Sequence, residues 1–219
     1  MKKKIILFAF ALTSIFAINV NAQEKNPWTV GVDIYSSYVW RGTKLGTGPA
    51  LQPTFKYNQG GFTIGGWGSY CFNGNEAAES DLFTSYAVAL GKSSSLTFNL
   101  TDYYFPGATA PYFTGTSHFF EPQVNLALGK VTLTGAYMFN AKDTYLEADY
   151  AAGPITLFAA AGDGQYTKDA SFNFCNVGIK STMAIKINDH FSIPVNGALV
   201  LNPSTEQFNV VVGITLANQ

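Results

Sequence analysis

The sequence has little charge. Asp, Glu, Lys and Arg make up only 12% of its 219 residues, whereas an average soluble domain carries about 25%. A soluble enzyme needs a charged surface to stay dispersed, so this deficit argues against an ordinary cytoplasmic enzyme. The formal net charge is −1 and no basic patch stands out, which argues against nucleic-acid binding. Aromatic residues make up 15% of the chain, which argues against a disordered protein.

Long apolar runs are also missing, except at the very start. There, three lysines precede an apolar stretch over 5–18, and small residues follow it up to Ala22. This pattern is typical of a secretory signal peptide, and the stretch is shorter than the roughly 20 residues that a membrane helix needs. We therefore predict a signal peptide over 1–22, cleaved near Ala22, and one exported domain over 23–219.

Apolar and polar residues alternate along most of the remaining chain. A period of two is the pattern of a β-strand with two different faces. Most of the twelve alternating segments are 9–12 residues long, the length that a tilted strand needs to cross a bilayer. These segments are 28–40, 49–58, 61–71, 80–91, 94–105, 118–129, 130–140, 144–152, 154–162, 171–187, 190–201 and 206–217.

The breaks between these segments alternate between tight turns and mostly longer loops, as they do in membrane barrels with short periplasmic turns and longer external loops. The polar face of the segments is mostly Thr, Ser, Asn, Gln, Ala and Gly, which fits a lumen better than a soluble surface. We predict an all-β, transmembrane, antiparallel up-and-down barrel of about 12 strands, with 10 to 14 possible. A soluble periplasmic β-barrel binding protein is an alternative, since its strands alternate too.

Several short motifs resemble those of the TorF family of proposed porins from Gram-negative bacteria. They are YVWRG at 38–42, PALQ at 49–52, GWGS at 66–69 and YFPG at 104–107. The resemblance covers roughly residues 30–125 and is carried by the combination of motifs. It implies an outer-membrane barrel and a suspected channel, and it supplies no catalytic or ligand residues.

The alternation also predicts which charged side chains line the lumen. The pore-lining candidates are Asp33, Arg41, Lys56, Glu121, Glu147, Asp149, Lys180 and Lys186. Four acids and four bases predict either a pathway with weak ion selectivity or a polar core in which the charges pair; pairing is expected in both cases. Arg41, at the external end of the first strand, could filter anions at the pore mouth, bind lipopolysaccharide phosphate or fix the loop through hydrogen bonds.

Aromatic side chains are expected in girdles at the two membrane interfaces. The candidates are Trp28, Trp40, Trp67, Tyr57, Tyr70 and Tyr104. Pro53 and Pro122 lie inside strands, where we expect a bulge at each. Cys71 and Cys175 lie on strands that are far apart around the barrel, so we expect no disulfide between them.

No motif in the chain places a catalytic group, a metal ligand or a cofactor. The two histidines, His118 and His190, receive no acidic partner from any motif, so we expect no enzyme, no catalytic residue, no metal and no cofactor. The predicted function is passive passage of small solutes or ions through the outer membrane of a Gram-negative bacterium. The expected partners are membrane lipid, those solutes and the barrel-assembly machinery, without nucleic acid. A closed barrel that acts through its external loops is the first alternative.

Overall fold

The alternating segments form a closed barrel. The computed structural model describes residues 26–73, 78–188 and 191–218. In chain order, its strands are β1 (Trp28–Tyr35), β2 (Val39–Trp40), β3 (Thr43–Lys44), β4 (Ala50–Gln59), β5 (Phe62–Cys71), β6 (Glu79–Ala89), β7 (Ser94–Tyr104), β8 (His118–Leu128), β9 (Val131–Met138), β10 (Asp143–Ala152), β11 (Ile155–Gly164), β12 (Ala170–Asn188), β13 (Phe191–Asn202) and β14 (Gln207–Ala217). A short 3₁₀ turn, Gly115–Ser117, precedes β8. Within the described residues, no helix is long and apolar enough to span a membrane.

Twelve of the described strands build the barrel, and β2 and β3 pair only with each other. Each barrel strand pairs antiparallel with its neighbours in the chain, and β1 also pairs with β14, which closes the sheet. The predicted twelve-stranded antiparallel barrel is therefore confirmed. Its first strand differs from the prediction, because β1 ends at Tyr35 and the residues up to 40 leave the sheet.

The barrel carries its apolar side chains on the outside. In β14, Val210 and Val212 are 58% and 52% exposed, whereas Val211 between them is 8% exposed. Polar side chains such as Asn99 and Thr101 on β7 are buried on the inside. The strand period of two thus separates an apolar outer face from a polar inner face.

The two ends of the barrel differ. Tight turns connect the strand pairs at one end, and glycines with positive φ such as Gly129 (φ 61°) and Gly153 (φ 68°) occupy these turns. We call this the short-turn end. The segments 36–49, 105–117 and 165–169 connect strands at the opposite end, which we call the long-loop end.

The bulges expected at Pro53 and Pro122 were predicted wrongly. The strand register is the same on both sides of each proline. Pro53 has no paired residue in the ladder with β5, and the ladder between β8 and β9 ends beside Pro122, as expected of a residue that cannot donate an N–H. Among the described strands, the register shifts instead along β11, between Ala160 and Ala161 and between Gly162 and Gly164, and on β12 between Lys186 and Asn188.

Candidate functional site

The segment between β1 and β4 folds into the barrel. We call residues 36–49 the inward loop; it contains the β2–β3 hairpin, whose turn is formed by Arg41 and Gly42. Both turn residues have positive φ, 49° and 82°, as a two-residue hairpin turn requires. A Cβ added to Gly42 would lie 1.9 Å from the carbonyl oxygen of Cys175 on β12. The tip of the hairpin therefore packs directly against the barrel wall.

Arg41 ties the inward loop to β8. Its guanidinium donates to both carboxylate oxygens of Glu121, at 2.6 and 2.7 Å, and also to Tyr166 Oη at 2.6 Å and Gln123 Oε1 at 3.2 Å. The two side chains of the ion pair are 7% and 0% exposed. Four strands lie between β1 and β8 on one side of the barrel and six on the other, so this contact carries the loop across the lumen.

An aromatic cluster encloses the same guanidinium. Its carbon atom lies 4.7 Å from the ring centroid of Trp40 and 4.3 Å from that of Tyr145 on β10. Trp40 also contacts Tyr103 on β7 and Tyr166, with ring centroids 5.7 and 5.4 Å apart. These rings add cation–π attraction to the ion pair and shield it from water.

The charge states around Arg41 follow from this enclosure. Burial alone would lower the pKa of Arg41, but the Glu121 carboxylate holds that pKa well above its ordinary value. Burial raises the pKa of Tyr166 against the opposing effect of Arg41, and burial followed by Glu79 raises the pKa of Tyr38. At neutral pH the arginine is therefore charged and both phenols are neutral.

A second contact of the inward loop lies on the wall formed by β5 and β6. The ring of Tyr38 meets Trp67 with 5.6 Å between centroids, and its hydroxyl interacts with Glu79. Asp81 pairs across the strands with Trp67, on the same lumen face. The sequence prediction missed Glu79 and Asp81, although their spacing of two and the outward position of Leu82 could have identified them.

The other pore-lining candidates lie at several heights. Lys180 forms an ion pair with Asp149 at 2.6 Å, and Glu147 accepts from Asn176 Nδ2 at 2.9 Å. Asp33 accepts from Thr215 Oγ1 at 2.5 Å on the seam between β1 and β14. The strand registers place the last two candidates at lumen-facing positions toward the short-turn end: Lys56 on β4 and Lys186 on β12.

Two of the predicted girdle residues are in the lumen instead. Trp40 belongs to the inward loop, and the register opposite Thr54 turns Trp67 inward while glycines take the neighbouring outward positions. Trp28 and Tyr57 lie together on the outer face at the short-turn end, with ring centroids 4.8 Å apart. At the long-loop end of the outer face lie Tyr70, which is 43% exposed, and Tyr104, which pairs with Ser80 on β6.

A hydrogen-bonded pair of a histidine and an aspartate occupies the outer face at the long-loop end. His118 Nδ1 lies 2.8 Å from Asp102, and its Nε2 contacts the carbonyl oxygen of Tyr112. The neighbouring Ser117 hydroxyl donates to backbone carbonyls, including that of Ala110 at 2.8 Å. Ser117 and His118 are therefore bound to different partners. His190 lies outside the described residues.

The two cysteines occupy different surroundings. Cys175 is buried in the cluster against which Trp40 packs. Cys71 is half-buried at the end of β5, where its thiol contacts the Gly48 carbonyl.

Three comparisons place the chain among known proteins. A family model described as "Bacterial protein of unknown function (Gcw_chp)" matches residues 21–192, and no curated protein matches. A solved chain from the study "Unveiling the Mechanism Behind the in-meso Crystallization of Membrane Proteins" is similar over 88% of this chain and 83% of its own, with 9% identity and a TM-score of 0.49. The outer membrane protein OprD from Pseudomonas aeruginosa is similar over 90% of this chain and 65% of its own, with 12% identity and a TM-score of 0.37. Both structural likenesses are too distant to bear on function.

Proposed function

We propose that this chain, which belongs to the Gcw_chp family of bacterial proteins of unknown function, is an outer-membrane barrel with a narrow passage for small solutes or ions. The observation that carries the proposal is a polar lumen crossed by the inward loop. The resemblance to the TorF family favours the same assignment. Export by a signal peptide over 1–22 is part of the proposal and concerns residues outside the described ones.

The membrane location is supported by the outer face. Large apolar side chains such as Phe55, Leu82 and Val210 are exposed there, at a free-energy cost in water that hydrocarbon would remove. A soluble binding barrel would have the reverse arrangement, with its apolar face inside. The sheet of the described strands is closed and so leaves none of them with an unpaired edge, which a lipid-embedded strand could not tolerate.

The passage is supported by the size and lining of the barrel. An eight-stranded barrel is just filled by its own side chains, and barrels of 16–18 strands leave an aqueous channel. Twelve strands therefore leave space that side chains alone do not fill, and the inward loop occupies part of it. Lys180 is half-exposed on the lumen side of β12, as expected of a wet lumen.

A second candidate function has an observation of its own. The Arg41–Glu121 pair is deeply buried and joins the inward loop to a distant part of the wall. A loop held in this way could close the lumen permanently, and the protein would then act through its external loops. We favour the passage, because the polar lining continues along the strands toward the short-turn end.

We further propose that the protein is not an enzyme and needs no cofactor. Its partners in this proposal are outer-membrane lipid, the permeating solutes and the barrel-assembly machinery. The bonding of His118 to Asp102 and a backbone carbonyl, with Ser117 turned elsewhere, favours a structural role for this pair.

Single-channel conductance of the refolded protein in a planar bilayer tests the proposal. Folding is checked first by heat-modifiable gel migration, which reports a closed barrel independently of conductance. We expect steady, reproducible current steps, small because the inward loop narrows the lumen. A folded barrel that conducts no ions would overturn the passage and favour the closed barrel.

A further inference from the structure

Two buried carboxylic acids line the lumen beside the inward loop. Glu79 and Asp81 stand two residues apart on β6, so their side chains share one face. They are 4% and 7% exposed. Asp81 pairs with Trp67 on β5 and with Tyr103 on β7, both of which face the lumen. The pair is therefore enclosed by aromatic walls at the long-loop end.

The pair lacks the basic partner that two other buried lumen acids have. Glu121 is bound by Arg41, and Asp149 by Lys180. Among the described residues, no Lys, Arg or His forms an ion pair with Glu79 or Asp81. Two adjacent carboxylates cannot both be ionised in a dry site unless a cation joins them.

Buried oxygens at the same place lack hydrogen-bond partners. Asp81 Oδ1 is one of them, and Thr101 Oγ1 is another. Thr101 is 1% exposed on the lumen face of β7, two residues from Tyr103, which pairs with Asp81. Such diagonal neighbours are about 7–8 Å apart, a separation that one ion between them can bridge. Native proteins rarely leave buried oxygens unsatisfied, so a water molecule or a cation is expected beside these atoms.

The chemistry of these oxygens selects the ligand. Carboxylate and hydroxyl oxygens are the ligands of hard cations. No group of three or more His, Cys, Asp or Glu side chains forms a metal site within the described parts of the chain. Two carboxylates with neutral oxygens would bind a cation weakly, and weak binding is what a permeation site requires.

We propose that Glu79 and Asp81 form a binding site for hard cations and make the passage selective for cations over anions. The selectivity rests on the proposed channel function; the binding site does not. Lys56 and Lys186 occupy lumen-facing positions toward the short-turn end. A cation that enters from the long-loop end would therefore reach the carboxylates before these lysines.

Reversal potentials in a KCl gradient test the selectivity. We expect the full-length refolded protein to pass K⁺ in preference to Cl⁻, and the double variant Glu79→Gln/Asp81→Asn to lose this preference several-fold. The control Glu206→Gln removes a similar charge from an exposed turn at the same end and should leave the ratio unchanged. An equal loss in the control, or no loss in the double variant, would overturn the proposed selectivity.

Tb³⁺ luminescence tests the binding site without any conductance. Tb³⁺ is a hard cation whose emission increases when a nearby indole absorbs light, and Trp67 faces Asp81. We expect saturable emission that Ca²⁺ displaces, present in the wild type and Glu206→Gln and absent in the double variant. If none of the three proteins conducts, the channel function is wrong, and the Tb³⁺ emission still tests the binding site by itself. Equal emission from all three proteins would overturn the binding site.

Discussion

At Arg41, one ion pair determines how the inward loop is held. Moving two charges out of water costs several kcal/mol per ion, and only close contacts and further hydrogen bonds offset that cost. Arg41 has a bidentate contact with Glu121, two more acceptors and two aromatic faces. Removal of either charge would leave the other one buried and uncompensated.

We therefore predict that Arg41→Met lowers the free energy of unfolding by about 3–5 kcal/mol. The double variant Arg41→Met/Glu121→Gln should lose clearly less, because no charge is stranded. Lys180→Met is the control, since its ion pair with Asp149 has a half-exposed lysine. Guanidinium unfolding in lipid vesicles, followed by tryptophan fluorescence, measures all three. A loss for Arg41→Met no greater than for the control would contradict this account.

The inward loop is an element that could not fold alone. A hairpin with two residues in each strand is too short to be stable in water, and it keeps an arginine at positive φ, which is unfavourable outside glycine. Its stability must come from the lumen, where Trp40 joins the cluster around Cys175. Gly42 permits this contact because no side chain separates the backbones.

Gly42→Ala should displace the tip of the loop, because its Cβ would overlap the Cys175 carbonyl. We expect larger conductance steps and faster reaction of Cys175 with maleimide, measured in a Cys71→Ser background. Gly107→Ala is a matched control: Gly107 has the same φ of 82°, but nothing lies within 4 Å of its added Cβ. If both variants labelled Cys175 equally fast, the faster labelling would come from the substitution at positive φ and not from the loss of the close contact at Gly42.

The whole molecule has the polarity of a soluble protein turned inside out. Its outer face is apolar apart from the Asp102–His118 pair at the long-loop end, and its inner face holds most of the charged side chains of the strands. The outward residue Val212 lies at the middle of β14, whereas Thr215 on the same strand faces the lumen beside Asp33. Substitution by the same charged residue should therefore have very different costs at these two positions.

Val212→Lys should lower the free energy of unfolding in vesicles by about 2–4 kcal/mol, because it places a charge near the bilayer midplane. Thr215→Lys should cost much less, since Asp33 offers a partner within the lumen. Unfolding in vesicles measures both, with heat-modifiable migration as the folding control. Equal costs would show that the apolar face does not contact hydrocarbon.

Prediction from the sequence succeeded where the information is local. Alternation located the barrel strands other than β1 to within a few residues, and the breaks located both kinds of connection. It failed at Trp67, because glycines on both sides removed the contrast between the two faces. It also failed at Trp40, where alternation continued beyond the end of β1 into a segment that had left the sheet.

The sequence by itself determined the antiparallel barrel and the two different faces of its strands, because a strand period of two is a property of neighbouring residues. Only the tertiary structure decided where the first loop lies and which charges meet. Arg41 and Glu121 are 80 residues apart, and Arg41 and Tyr166 are 125 apart. No local pattern encodes such contacts, because they exist only once the closing of the sheet has brought β8 and the β11–β12 connection around the inward loop.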